Sequence, residues 1–171
     1  MAAQPPLTGF TVRDATAADI PALAELHVRT FRETHGGGPT AALREIQYRE
    51  KFATTDGRWF CLVAEDPSGL LIGFAVGEPY NDDPDYRGEL NKIYVLRTHH
   101  RRGVGRRLVC SVARRFATRG ISSMLLFGDA KNPSNGFYER LGAERLFAGN
   151  GEFHGGYGWK ELSQLINWAS G

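Results

Sequence analysis

Six consecutive residues, His100-Arg101-Arg102-Gly103-Val104-Gly105, hold the densest chemistry in the chain. An apolar run from Leu90 to Leu96 leads into them and reads as a strand. An amphipathic pattern from Arg106 to Arg119 leaves them and reads as a helix, with Leu108, Val109, Val112, Ala113 and Phe116 on one side and Arg107 and Arg114 on the other. A strand that turns through glycines into a helix presents backbone N–H groups that have no carbonyl one turn back to pair with. The positive end of the helix dipole points the same way, and that geometry binds phosphate. Arg97, Arg101, Arg102, Arg106 and Arg107 add side-chain charge, so the expected ligand is polyanionic. The net charge of the whole chain is only +2, which makes the basic cluster local. Binding along a nucleic acid needs a broader basic face, and base-stacking aromatics are not interleaved with these arginines.

Two familiar phosphate loops do not fit. No Gly-Lys-Ser/Thr closes the stretch, and Leu108 stands where a dinucleotide fingerprint has its third glycine. A second group of residues narrows the choice. Leu125-Leu126-Phe127 reads as a buried strand, followed by Asn132-Pro133-Ser134-Asn135-Gly136-Phe137-Tyr138-Glu139-Arg140-Leu141-Gly142. The two segments together resemble the GNAT acetyltransferase superfamily. The first is similar to its acyl-CoA loop, Gln/Arg-x-x-Gly-x-Gly/Ala at a helix start, with His100 departing at the first position. The second is similar to its Asn after a strand and Phe-Tyr-Glu-x-Leu-Gly on a short helix. The resemblance extends over roughly residues 10 to 162.

That resemblance implies an α/β (α+β) fold: one GNAT-like domain over residues 1–171, with a mixed central sheet of about seven strands, about four flanking helices, and strands 4 and 5 splayed. It implies acetyl-CoA as cosubstrate, its pyrophosphate held at His100, Arg101, Arg102, Gly103, Val104, Gly105 and Arg106. The pantetheine arm pairs with Ile93, Tyr94 and Val95 like an added strand, and a backbone N–H there polarises the thioester carbonyl. Asn132 hydrogen-bonds the same arm. Tyr138 occupies the position of the general acid, which protonates a thiolate of pKa about 8.5 as it leaves. The acceptor amine, with a pKa of about 8 to 10, must lose a proton before it attacks. Glu89, on the strand before the loop, is the first candidate for that base, and Glu78 is the alternative. Glu89 fits a surface carboxylate at a strand end equally well. No Ser/His/Asp or Cys/His arrangement and no metal-ligand cluster suggests itself, so direct attack is expected.

The expected acceptor is a small-molecule amine: an amino acid, a polyamine or a xenobiotic. A peptide or protein N-acetyltransferase and a non-catalytic acyl-CoA sensor are the alternatives. Phe31, Thr34, His35 and the following glycine loop line the acceptor cleft if the resemblance holds. A monomer or homodimer is expected, with no nucleic-acid and no membrane partner. The N-terminus lacks the basic start and apolar run of a signal peptide. Cys61 and Cys110 sit in apolar surroundings and read as buried thiols in a reducing cytoplasm.

The positioning elements follow from pattern and punctuation. Phe10 to Arg13 alternates as a first strand. Asp19 is the expected cap of a helix carrying Ile20, Leu23, Ala24, His27 and Phe31 on one face, with Pro21 in its first turn. His27 reads as a hydrogen-bonded core residue. A second helix is expected over 41–52, after Gly36-Gly37-Gly38-Pro39. Strands are expected over 58–65 and 70–77 around Asp66-Pro67-Ser68-Gly69, then over 89–96 and 121–127. A short helix over 133–141, closing strands over 143–148 and 157–162, and a helix over 162–168 complete the chain. Gly149-Asn150-Gly151 and Gly155-Gly156 are the expected turns between the closing strands, and residues 1–8 are expected to be a loose tail.

Overall fold

In a computed structural model the described residues are 9–54 and 56–168; the expected tail lies outside them. Seven strands form one sheet in the order β1-β2-β3-β4-β5-β7-β6, and five α-helices accompany it. The chain gathers into two compact units, one of residues up to Val76 with Lys92–Leu108, the other of Gly77–Asn91 with Val109 onward.

In the first unit β1 (Thr11–Asp14) pairs antiparallel with β2 (Phe60–Glu65), with Thr11 opposite Glu65 and Asp14 opposite Leu62. Asp19 does precede α1 (Ile20–His35), and Pro21 falls in its first turn, where a missing N–H costs nothing. The carboxylate does not cap that helix, however. It takes two hydrogen bonds from the Arg13 guanidinium at 2.8 and 2.9 Å and one from the Thr16 amide at 2.7 Å, which holds it down to a pKa of about 2. Arg13 Nε donates to Glu65 at 2.6 Å, so one arginine ties β1, β2 and the entry to α1 together. α1 ends at Gly36, whose left-handed φ of 82° lets its amide reach back to the Arg32 carbonyl. α2 (Ala41–Ala53) is capped by Thr40 Oγ1, which accepts from the Leu43 amide. β2 leads through an Asp66 turn into β3 (Leu71–Pro79); the Asp66 carboxylate accepts from the amides of Ser68 and Leu70. Leu23, Val63, Ile72 and Phe74 are the fully buried centre of this unit.

β4 (Gly88–Val95) and α3 (Val104–Thr118) each begin in one unit and end in the other. β5 (Met124–Leu126) pairs in parallel with β4 at Gly88↔Met124 and Glu89↔Leu125, and β4 continues to Val95 beyond that short pairing. This is the splay between strands 4 and 5. In the second unit β7 (Phe153–Trp159) lies antiparallel between β5 and β6 (Glu144–Phe147), and α4 (Asn135–Arg140) precedes β6. α5 (Ser163–Trp168) follows, and Phe116, Met124, Leu125, Tyr157, Leu162 and Leu165 are its buried core. Both cysteines are buried and unbridged, and burial pushes the Cys61 thiol up to about 12. No helix among the described residues is long and apolar enough to cross a membrane.

Two expectations change here. Gly155-Gly156 is not a turn but part of β7. A Cβ at Gly155 would come within 2.4 Å of the Asp129 backbone, so the glycine serves close passage of two backbone segments. The reversal itself is at Ala148–Glu152, with Gly151 left-handed at φ 83°. The strand expected over 121–127 shrinks to Met124–Leu126, because the Ile121 amide still bonds back to Phe116 at the end of α3.

Gly88 sits against the wholly buried Phe116: a Cβ there would come within 2.8 Å of the ring. Gly88→Ala is expected to cost about 1–3 kcal/mol by overpacking. Thermal unfolding followed by circular dichroism checks this; an unchanged midpoint would contradict the contact.

Candidate active site

The expected loop joins the end of β4 to the start of α3. Leu96 donates its amide to the Ile72 carbonyl, so residues 94 and 96 turn their backbone groups to β3 and residues 93 and 95 turn theirs to the opposite edge. A Cβ built on Gly73 would lie 3.1 Å from the Tyr94 oxygen, in agreement with that alternation. Ile93 and Val95 therefore offer peptide groups on the side away from β3, the edge an extended amide chain would use. A 3₁₀ turn over Arg97–His99 follows the strand. His100 then folds back, and its Nε2 donates to the Val95 carbonyl at 2.8 Å. The residue that departs from the Gln/Arg pattern thus ties the loop to the strand end.

The chain next takes two left-handed conformations, at Arg101 (φ 62°) and Gly103 (φ 82°). Nothing lies within 4 Å of a Cβ built on Gly103, so that turn is open. α3 begins at Val104, and the Arg107 amide bonds to the Gly103 carbonyl at 3.0 Å. The amides of Gly103, Val104 and Gly105 thus lie in the first turn, ahead of any intrahelical partner. Val104 itself is buried; its side chain and that of Leu108 would lie 3.3 Å from a Cβ on Gly73, so the helix start rests directly on β3. Arg101, Arg102, Arg106 and Arg107 are exposed. First-turn amides without an intrahelical partner, an open left-handed bend and four guanidinium-bearing residues suit a pyrophosphate. Arg97 is not part of this group: its amide donates to the Glu33 carboxylate at 3.0 Å and its guanidinium to the Glu33 carbonyl, so it fastens the turn to α1.

A second feature of this unit is an aromatic cluster on α1, α2, β3 and β4. The His27 ring lies 5.0 Å from Phe74, 5.7 Å from Tyr94 and 5.8 Å from Tyr48. Phe31 stands 4.4 Å from His35, and Tyr94 stacks on Phe74. The Tyr48 hydroxyl and His27 Nδ1 are hydrogen-bonded at 2.8 Å, so His27 is the satisfied core residue its position on α1 predicts. Burial, aided by the charges of Arg44 and Lys92, lowers its pKa to about 3, and burial raises the phenols of Tyr48 and Tyr94. Phe31 is half-buried and Thr34 and His35 are exposed. The Tyr94 side chain belongs to this cluster, which its strand position alone did not reveal. Arg44 and Tyr48, four residues apart on one face of α2, were also not singled out by sequence; that spacing was the available signal.

The second unit carries Asn132, Tyr138, Glu89 and Glu78. Asn132 Oδ1 accepts from the Ser134 amide at 2.8 Å, which leaves the Nδ2 group as the donor it can offer. Tyr138 is buried on α4, its ring 5.3 Å from Phe137 and 5.6 Å from Tyr157. The same helix is tied down from Glu139, which accepts from Tyr157 Oη at 3.0 Å and Arg145 Nε at 2.6 Å. Glu89 is half-buried on β4 and accepts from Asn91 Nδ2 at 3.3 Å; Glu78, on β3, is half-buried too.

A family model described as Acetyltransferase (GNAT) family matches residues 20–143. The chain is 34% identical over 169 residues to the uncharacterised N-acetyltransferase YuaI of Bacillus subtilis (strain 168), covering 91% of this chain and 95% of that one. Among solved structures, the PaiA N-acetyltransferase of Thermoplasma acidophilum in complex with coenzyme A superposes with a TM-score of 0.66 at 18% identity, covering 87% and 97% of the two chains. The ribosomal-protein-alanine N-acetyltransferase of Brucella melitensis gives 0.66 at 22% identity, covering 87% and 98%. The protein belongs to the GNAT acetyltransferase family. It is an acyltransferase that uses acetyl-CoA, on the sheet and splayed strands that the motifs implied.

The His27 environment sets a pH dependence. The unfolded imidazole takes its proton near 6.5 and the folded one only near 3, so unfolding binds a proton between those values. Stability therefore falls as pH drops through that window. Urea unfolding at stepped pH is expected to show a shallower acid decline for His27→Gln than for the parent, by up to one proton; identical slopes would contradict the burial.

Proposed function

We propose that the protein moves the acetyl group of acetyl-CoA to a primary amine of a small molecule by direct attack. The observation that carries this reading is the bend from Val95 to Gly105, where first-turn amides, two left-handed residues and exposed arginines come together. Arg101, Arg102, Gly103, Val104, Gly105 and Arg106 hold the pyrophosphate. Ile93 and the Val95 amide offer hydrogen-bonding groups to the pantetheine arm, and Tyr94, stacked on Phe74, keeps that strand on β3. His100 shapes this edge by occupying the Val95 carbonyl. Bound acetyl-CoA supplies the thioester, a carbonyl activated for attack by an amine.

Asn132 donates through Nδ2 to the same arm. Tyr138 is the acid that protonates the departing thiolate, and Glu89 is the base that takes the amine proton, directly or through water. A buried phenol on a helix fastened by Glu139 suits an acid that must be held in place. Holding the two reactants together contributes several kcal/mol of the rate, on the order of that found for other oriented reactions.

Tyr138→Phe tests the assignment. Turnover, read as released CoA thiol with an accepted amine, is expected to fall by about 10²-fold or more. The thermal stabilisation by acetyl-CoA is expected to stay near that of the parent. Unchanged turnover would remove the acid role. Activity confined to peptides with a free N-terminus would move the acceptor from small molecules to proteins.

A further inference from the structure

Arg44 carries a charge that no carboxylate among the described residues balances. It is half-buried on α2, and its Nε is buried with no hydrogen-bond partner. Its guanidinium carbon lies 5.4 Å from the centre of the Phe31 ring, over the face. Its Nη1 donates to Gln47 at 3.2 Å, and among the described residues no carboxylate pairs with it. Two of the acids on the same helices are engaged elsewhere. Glu33 is bonded to Arg97 and paired with Arg29, and Glu45 is paired with Arg49. The charge of Arg44 is felt at His27, Tyr48 and Tyr94, and Lys92 adds a second positive charge at His27. Across this cluster the surface is therefore aromatic, half-open at Phe31 and Tyr94, and positive.

A buried guanidinium Nε without an acceptor is costly, because the group has left water and gained nothing in exchange. Guanidinium groups satisfy that deficit best with a carboxylate, which two parallel N–H donors can hold in one plane. Gln47 engages Nη1 and Nε is buried, so Nη2 is the donor that stays open to a ligand, with Nε beside it on the same edge of the guanidinium. A purely cationic acceptor, such as a polyamine, would be repelled here.

Resting on the acetyl-transfer reading above, we propose that Arg44 receives a carboxylate of the acceptor. The acceptor is then an amine that also carries a carboxylate, an amino acid rather than a polyamine, with Phe31 and Tyr94 against its carbon skeleton. Arg44 is a specificity residue in this assignment and takes no part in proton transfer.

The test sets each of the common amino acids beside its carboxamide, which keeps size and amine but removes the charge, with CoA thiol release as readout. The parent protein is expected to prefer the carboxylate member of an accepted pair. Arg44→Gln is expected to raise KM for that member by roughly tenfold to a hundredfold, with kcat little changed and the carboxamide little affected. Arg44→Lys, which keeps charge but loses the planar fork, should recover part of the loss. Retained stabilisation by acetyl-CoA shows that each variant is folded. Equal use of acid and carboxamide by the parent, or an unchanged KM in Arg44→Gln, would overturn the proposal. So would acetyl-CoA turnover with polyamines alone, which would leave the acetyl-transfer reading standing. Calorimetry with the N-acetylated amino acids reads the same contact without turnover. Binding lost in Arg44→Gln supports it even if acetyl transfer fails, and binding equal in parent and variant overturns it.

Discussion

A strand must become a helix between Val95 and Val104, and the backbone has to end one hydrogen-bond ladder before it begins another. His100 manages the first half of that problem by donating to the Val95 carbonyl, and the left-handed residues Arg101 and Gly103 manage the second. The bond from Arg107 to Gly103 then commits the chain to α3. What remains between these fixed points is a short run of amides without a helical partner. The anion-binding character of the loop follows from that arithmetic of donors and acceptors, and the arginines add to it. The position of the bend depends in turn on small contacts beneath it, chiefly Val104 and Leu108 against the bare face of Gly73.

The two units contribute different chemistry. The first holds the anion loop and an aromatic cluster in which a buried, neutral imidazole is satisfied by a phenol. The second holds a buried tyrosine on a helix anchored through Glu139 to Arg145 and Tyr157. In both, the groups proposed to act are placed by neighbours that are themselves hydrogen-bonded. Arg44 stands apart: Gln47 holds its Nη1, and its Nε is buried without an acceptor.

Much of this was legible in the residue order. The glycine bend and the amphipathic helix behind it could be read because local backbone chemistry decides them. His27 as a satisfied core residue followed from its place on the apolar face of α1. Less was legible where distant segments meet. Gly155 and Gly156 look like turn residues, yet they lie in β7, and at Gly155 the backbone of Asp129 passes too close for any Cβ. Asp19 looks like a cap, yet a bidentate arginine six residues earlier claims its carboxylate. Arg97 reads as one more phosphate ligand until α1 brings Glu33 to it. In each case the sequence shows a residue's preference, and a tertiary neighbour decides how it is used.

Isothermal titration calorimetry of acetyl-CoA against the protein, at two salt concentrations, reads the anion-binding bend itself. Saturable one-to-one binding that weakens as salt rises is expected, because guanidinium and amide groups at the bend hold a polyanion. No detectable heat at millimolar acetyl-CoA, or affinity indifferent to replacing Gly105 with Trp, would contradict it.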